Sequence, residues 1–115
     1  MGTDNQPLVL DTERLREVTL EDEDLMREIV AALLEDTSRQ ILLLAEAIQS
    51  QDSPRCMRLA HYSKGACANV GADRAAAMFK SIERDASNQQ FQACERSLAN
   101  LSSEMDLLRS QAGSL

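Results

Sequence analysis

Apolar residues recur at steps of three and four over most of this chain, the period of helices that each bury one face. Beyond residue 19 the stripe runs through Leu25, Ile29, Leu33, Ile41, Leu44 and Ile48, and residues 36–38 interrupt it without breaking it. Thr19 is expected to cap this long helix, and the acidic run at 21–24 suits the positive end of its dipole. The stretch "SQDSPR" ends it. Ser53 followed by Pro54 predicts a restart: a cap, then a proline where no amide donor is missed. That next helix should run over 54–70 and stop at Gly71. Another, over 73–86, sets Ala75, Phe79, Ile82 and Ala86 on one side with Ala72 just ahead. The last, over 90–111, alternates its steps through Phe91, Cys94, Leu98, Leu101, Met105 and Leu108, the seam of a bundle helix.

Ahead of these, Asp11 predicts the cap of a short helix carrying Leu15 and Val18. Residues 1–10 have no helical period and read as a flexible lead-in, with 8–10 lying against the bundle. The domain proper is expected over 11–112. Short connections between long helices make neighbours antiparallel. The expected fold is therefore all-α: an antiparallel up-and-down four-helix bundle with a short extra N-terminal helix.

Composition sharpens this reading. Aromatics are limited to Phe79, Phe91 and Tyr62, and glycine and proline together number six, too few turn signals for a sandwich or barrel. A net charge of −7 and a pI near 4.6 argue against nucleic acid and anionic membranes as partners. No apolar run approaches the roughly 20 residues of a membrane helix, and no signal peptide is visible. Cys56, Cys67 and Cys94 are odd in number and lack metal spacing, which suits a reduced, cytoplasmic compartment. One histidine and three scattered cysteines make no metal site, and without a phosphate-cradling glycine loop the chain is not expected to use ATP itself. Met1 and the single-domain length favour a free-standing protein over the excised end of a larger kinase.

The candidate chemistry lies in "RLAHYSKGACANVGA", residues 58–72, which holds the only histidine, His61. At about 100° per residue, Leu59, Ser63, Ala66 and Val70 fall opposite His61, with Cys56 and Cys67 at the flank of that face. The imidazole is therefore expected on the outside, away from both thiols. Met57, Arg58, Lys64, Gly65 and Ala68 share its side. Gly65 costs about 1 kcal/mol relative to alanine inside a helix. With Ala68 it leaves the imidazole above a low patch of backbone, a shape suited to close approach by another macromolecule. A histidine of ordinary pKa, about 6.5, is mainly an uncharged nucleophile at neutral pH. Phosphoryl transfer asks for positioning and for cations near the phosphoryl oxygens. Lys64, one turn along, is either that cation or a plainly solvated lysine.

These residues resemble the histidine-containing phosphotransfer (HPt) domains of multistep two-component relays. "AHYSKGACANVGA" is similar to the family's run at Ala60, His61, Lys64, Gly65, Ala66, Gly71 and Ala72, and "LDTERLRE", "LLEDT" and "SIE" resemble its flanks. One departure is Ser63, where the family generally has leucine. Since position 63 points to the core, the cost should fall on packing, eased by a bond from Ser63 back to the Leu59 carbonyl.

The resemblance implies that His61 takes a phosphoryl group from the aspartyl phosphate of a receiver domain and passes it to another receiver's aspartate. It also implies a hybrid sensor histidine kinase upstream, magnesium held by the receiver rather than by this chain, and no kinase activity of its own. A monomer is expected. The resemblance further implies a Gln or Glu on the following helix beside the imidazole. Folding at Gly71 brings Glu83 level with His61, either to accept the Nδ1 proton or to stand solvated. The turn near Asp52 brings Leu43 level with it from the other side. Leu43 is either packed on the short first helix or part of a docking patch with Met57 and Ala68, and docking is favoured, with Arg58 and Gly65 on the same face. From a different class, a helical adaptor that binds receiver-like partners without carrying phosphate remains the alternative. Retention of both His61 and Lys64 speaks against it.

Overall fold

The computed structural model describes residues 6–115, which form five helices and no strand. They are α1 (Thr12–Val18), α2 (Glu23–Gln49), α3 (Ser53–Val70), α4 (Asp73–Ser87) and α5 (Phe91–Ala112). The four long helices touch in sequence order, and α5 returns to pack on α2, so the contacts close into a ring. Residues 1–5 of the expected lead-in lie outside the described residues. Residues 8–10 lie on the helices: Val9 and Leu10 are buried, and the Leu8 carbonyl accepts from the Arg74 amide at 3.0 Å.

Asp11 caps α1, its carboxylate accepting from the Arg14 amide at 3.1 Å. Thr19 does not cap α2. Its hydroxyl turns back to the Leu15 carbonyl at 2.8 Å and closes α1, so it is not available to the next helix. Asp22 takes the capping role instead, accepting from the Leu25 amide at 3.0 Å. Ser53 is displaced in the same way. Asp52 caps α3 through the Arg55 amide, while the Ser53 hydroxyl donates to the Ala86 carbonyl at 2.6 Å and ties the start of α3 to the end of α4. In both turns an aspartate carboxylate, the stronger acceptor, holds the free amides.

The buried seam of α2 also differs from the expected stripe. Leu33, Leu44 and Ile48 are buried, but Leu25 is exposed and Ile29 and Ile41 are half-buried. Met26, Val30, Thr37 and Ala47 face inward instead. A stripe chosen by apolar character skips Thr37 and drifts off the seam at the helix start. Val18 is likewise exposed on α1, whereas Leu15 is fully buried. The stripes of α4 and α5 hold closely, with Phe79, Ile82, Ala86, Cys94, Leu101 and Leu108 inaccessible to solvent.

Gly71 joins α3 to α4 in the left-handed region at φ 94°, and a β-carbon there would meet the Asp11 carbonyl oxygen at 2.9 Å. The Asp11 amide donates to the Gly71 carbonyl at 2.8 Å, so this turn is also where the N-terminal segment docks. Arg14 of α1 pairs with Asp73 at the start of α4. The α3–α4 hairpin is thereby held at its closed end by α1 and at its open end by Ser53.

Candidate functional site

Helix α3 sorts its residues cleanly. Cys56, Ala60, Ser63 and Cys67 are buried, and His61, Tyr62, Gly65 and Ala68 are exposed. The His61 side chain is 68% exposed, so nothing walls in the imidazole. Its Nδ1 lies 3.0 Å from Oε2 of Glu83 on α4. The other oxygen of the same carboxylate, Oε1, accepts from Lys64 Nζ at 2.9 Å. One glutamate therefore binds both the imidazole and the neighbouring ammonium.

Partial burial pushes the Glu83 carboxyl up, but hydrogen bonds from Lys64 and His61 and the charges behind them outweigh it. The net effect holds it below the usual carboxylate range. Glu83 is accordingly ionised at neutral pH and can only accept, so Nδ1 carries the proton and donates. Nε2 is left with its lone pair and no protein partner among the described residues. An exposed ring nitrogen of fixed tautomer is a nucleophile aimed at solvent.

Among the other residues singled out in the sequence, Arg58, Gly65 and Ala68 are exposed on the imidazole's side of α3. A β-carbon added at Gly65 would meet nothing within 4 Å, so no packing inside the fold requires this glycine. Met57 is half-buried against the core, with the Ser53 hydroxyl 3.9 Å from its sulfur. Leu43 is half-buried on α2, and its neighbour Leu42 is far more exposed, at 69%. Ser63 is buried, but its hydroxyl finds no partner: the expected bond to the Leu59 carbonyl does not form.

Tyr62 escaped the sequence reading. Its hydroxyl donates to Asp36 of α2 at 2.8 Å, and Asp36 also accepts from Arg39 at 3.1 Å. The bond to Asp36 and that residue's charge push the phenol up, with a small contribution from burial. This contact pins α2 against α3 one residue from the imidazole. The available signal was the position of the chain's single tyrosine beside its single histidine.

The thiols offer no rival chemistry. All three are free and fully buried. Burial pushes Cys67 and Cys94 up to about 11, and Cys56 upward as well. Thiols at such values are protonated and poor nucleophiles. Among the described residues no three acidic, histidine or cysteine side chains cluster as a metal site would need, and no helix is long and apolar enough to cross a membrane.

Comparison with known proteins agrees with this geometry. The family model described as the Hpt domain matches residues 28–111. Among solved structures, the histidine-containing phosphotransfer protein B (HptB) of Pseudomonas aeruginosa PAO1 superposes with a TM-score of 0.85 at 22% identity, covering 95% of each chain. At that identity the likeness establishes a shared fold. No curated protein matches the chain by sequence.

Proposed function

The chain belongs to the Hpt domain family, and on that premise we propose that His61 carries a phosphoryl group between aspartates of receiver domains. Membership gives the chain a histidine phosphotransfer role in phosphorelays, and proteins of this kind are phosphocarriers rather than enzymes in the usual sense. One observation carries the assignment of His61: an exposed imidazole whose Nδ1 is bonded to an ionised carboxylate while Nε2 is bare.

In this reading the Nε2 lone pair attacks the phosphorus of an aspartyl phosphate in line with the leaving oxygen. The N–P bond forms as the P–O bond breaks, and the aspartate departs as carboxylate with the electron pair. Nδ1 keeps its proton. The positive charge that grows on the ring then faces Glu83, which stabilises it electrostatically. Lys64, held by Glu83 at rest, is one turn from His61 and swings to the phosphoryl oxygens as they arrive. Delivery to a second aspartate is the same displacement in reverse.

Magnesium belongs in this scheme to the receiver, and a hybrid sensor histidine kinase supplies the relay. Leu43, Met57, Arg58, Gly65 and Ala68 form the surface on which receivers dock. All three site side chains come from one chain, so the chemistry needs no second copy. Free thiols suit a reducing, cytoplasmic setting. Contacts joining Asp36 to Tyr62, Ser53 to Ala86 and Arg74 to Glu104 support an up-and-down antiparallel order for the four long helices.

The test is transfer in vitro from a receiver domain phosphorylated on its aspartate. The chain should acquire acid-labile, alkali-stable label, and His61→Gln should keep its helicity and melting temperature while taking none. Label retained by His61→Gln, or no label from any of a broad set of receivers, would overturn the assignment.

A further inference from the structure

The net charge of −7 conceals a sharp division. Residues 53–87, which span α3, α4 and the turn between them, hold six lysines and arginines against three carboxylates, a net of +3. The rest of the chain holds six against sixteen, a net of −10. All three carboxylates of the hairpin are engaged, Asp73 by Arg14 from α1, Glu83 by His61 and Lys64, and Asp85 by Arg84. Arg58 and Lys80 are exposed and make no ion pair among the described residues. Arg58 precedes His61 by one turn on α3, and Lys80 precedes Glu83 by one turn on α4. Because the two helices meet at His61 and Glu83 and run back from Gly71, these two cations fall on opposite sides of the imidazole along the hairpin.

We propose that this division of charge steers His61 onto its partner, and that the partner presents an acidic face around the aspartate that exchanges phosphate. The inference rests on the phosphotransfer reading and adds to it the partner's surface chemistry and the way the encounter is oriented. A molecule with net charge −7 repels an acidic partner from most directions. Only the basic hairpin attracts it, so the field both rejects unproductive approaches and turns the imidazole toward the aspartate. Lys64 is neutralised by Glu83 at rest, which leaves Arg58 and Lys80 as the nearest free cations. Fields of this kind raise association rates by about 10- to 1000-fold and act beyond contact distance only while salt is low.

The experiment measures the second-order rate of phosphoryl transfer from a phosphorylated receiver domain with a net acidic face, by rapid quench below saturation. The wild-type rate should fall at least about tenfold as ionic strength rises from about 0.01 to about 0.5 M. The double variant Arg58→Glu with Lys80→Glu should lose most of that slope while keeping its helicity. Arg58→Gln with Lys80→Gln serves if the reversal fails to fold. A flat wild-type salt profile, or an unaltered slope in a folded double variant, overturns the steering and leaves phosphotransfer standing. Absence of label at every ionic strength overturns phosphotransfer, and this inference with it.

Discussion

Nδ1 of His61 lies 3.0 Å from Oε2 of Glu83, a residue 22 positions further along the chain, and this bond selects the ring nitrogen left open to solvent. A carboxylate cannot donate, so the proton sits on the nitrogen that faces it. Which imidazole nitrogen on α3 stays open is thereby set by a side chain on α4.

Glu83→Gln should slow transfer about ten- to hundredfold, the worth of a charge-assisted hydrogen bond of about 1.5–3 kcal/mol. Nitrogen NMR of His61 should show the Nδ1-protonated tautomer predominating in the wild type and mixing in the variant. Glu83 also makes stability depend on pH. Its folded value lies below the ordinary 4.5, so its contribution is fully present above 4.5 and is lost as pH falls through the folded value. The stability gap between wild type and Glu83→Gln should shrink in acid, which urea unfolding at a series of pH values will measure. A gap that widens in acid would contradict the bonding described.

Glu104 should have the opposite sign. It is 2% exposed on α5, and Arg74 lies 3.0 Å from Oε1 but out of hydrogen-bonding alignment. Burial pushes its carboxyl above 4.5, and Arg74 only partly opposes this. Its ionised form therefore costs stability at neutral pH, and the cost lifts as pH falls through the raised value toward 4.5. Glu104→Gln should stabilise the fold by about 1 kcal/mol at pH 7 and by nothing below pH 4, as read by thermal unfolding at the two conditions.

Ser63→Ala should raise stability by about 1–2 kcal/mol, because it removes a buried hydroxyl without a partner. Transfer should continue at the wild-type rate, since Ser63 lies on the opposite side of α3 from the imidazole. A lower melting temperature would mean that the hydroxyl is bonded after all.

Gly65→Ala should separate folding from docking. A β-carbon there meets open space and alanine favours the helix by about 1 kcal/mol, so the melting temperature should rise. Transfer from a receiver should fall, and fall further with Gly65→Gln, if a partner's backbone seats on the bare helix. A faster or unchanged rate in both variants would remove the docking role.

Much of this protein was legible in one dimension. The periods of α4 and α5, the stop at Gly71, the outward histidine and the level of Glu83 all follow from 3.6 residues per turn and a short connection. These depend on neighbours close in sequence or on counting residues back from a turn. The caps expected at Thr19 and Ser53 differ because each hydroxyl can either accept from a free helix amide or donate to a carbonyl. The choice was made by the Leu15 carbonyl in one case and by the Ala86 carbonyl, 33 residues away, in the other.

The side chains that tune the site belong to a different level. Counting from Gly71 put Glu83 beside His61, but only packing shows that its second oxygen holds Lys64, that Tyr62 reaches across to Asp36, and that Ser63 is stranded. Helical period is a property of the local chain and survives in the sequence. Hydrogen-bond partnership between helices depends on ångström-scale separations that only the closed ring of helices determines.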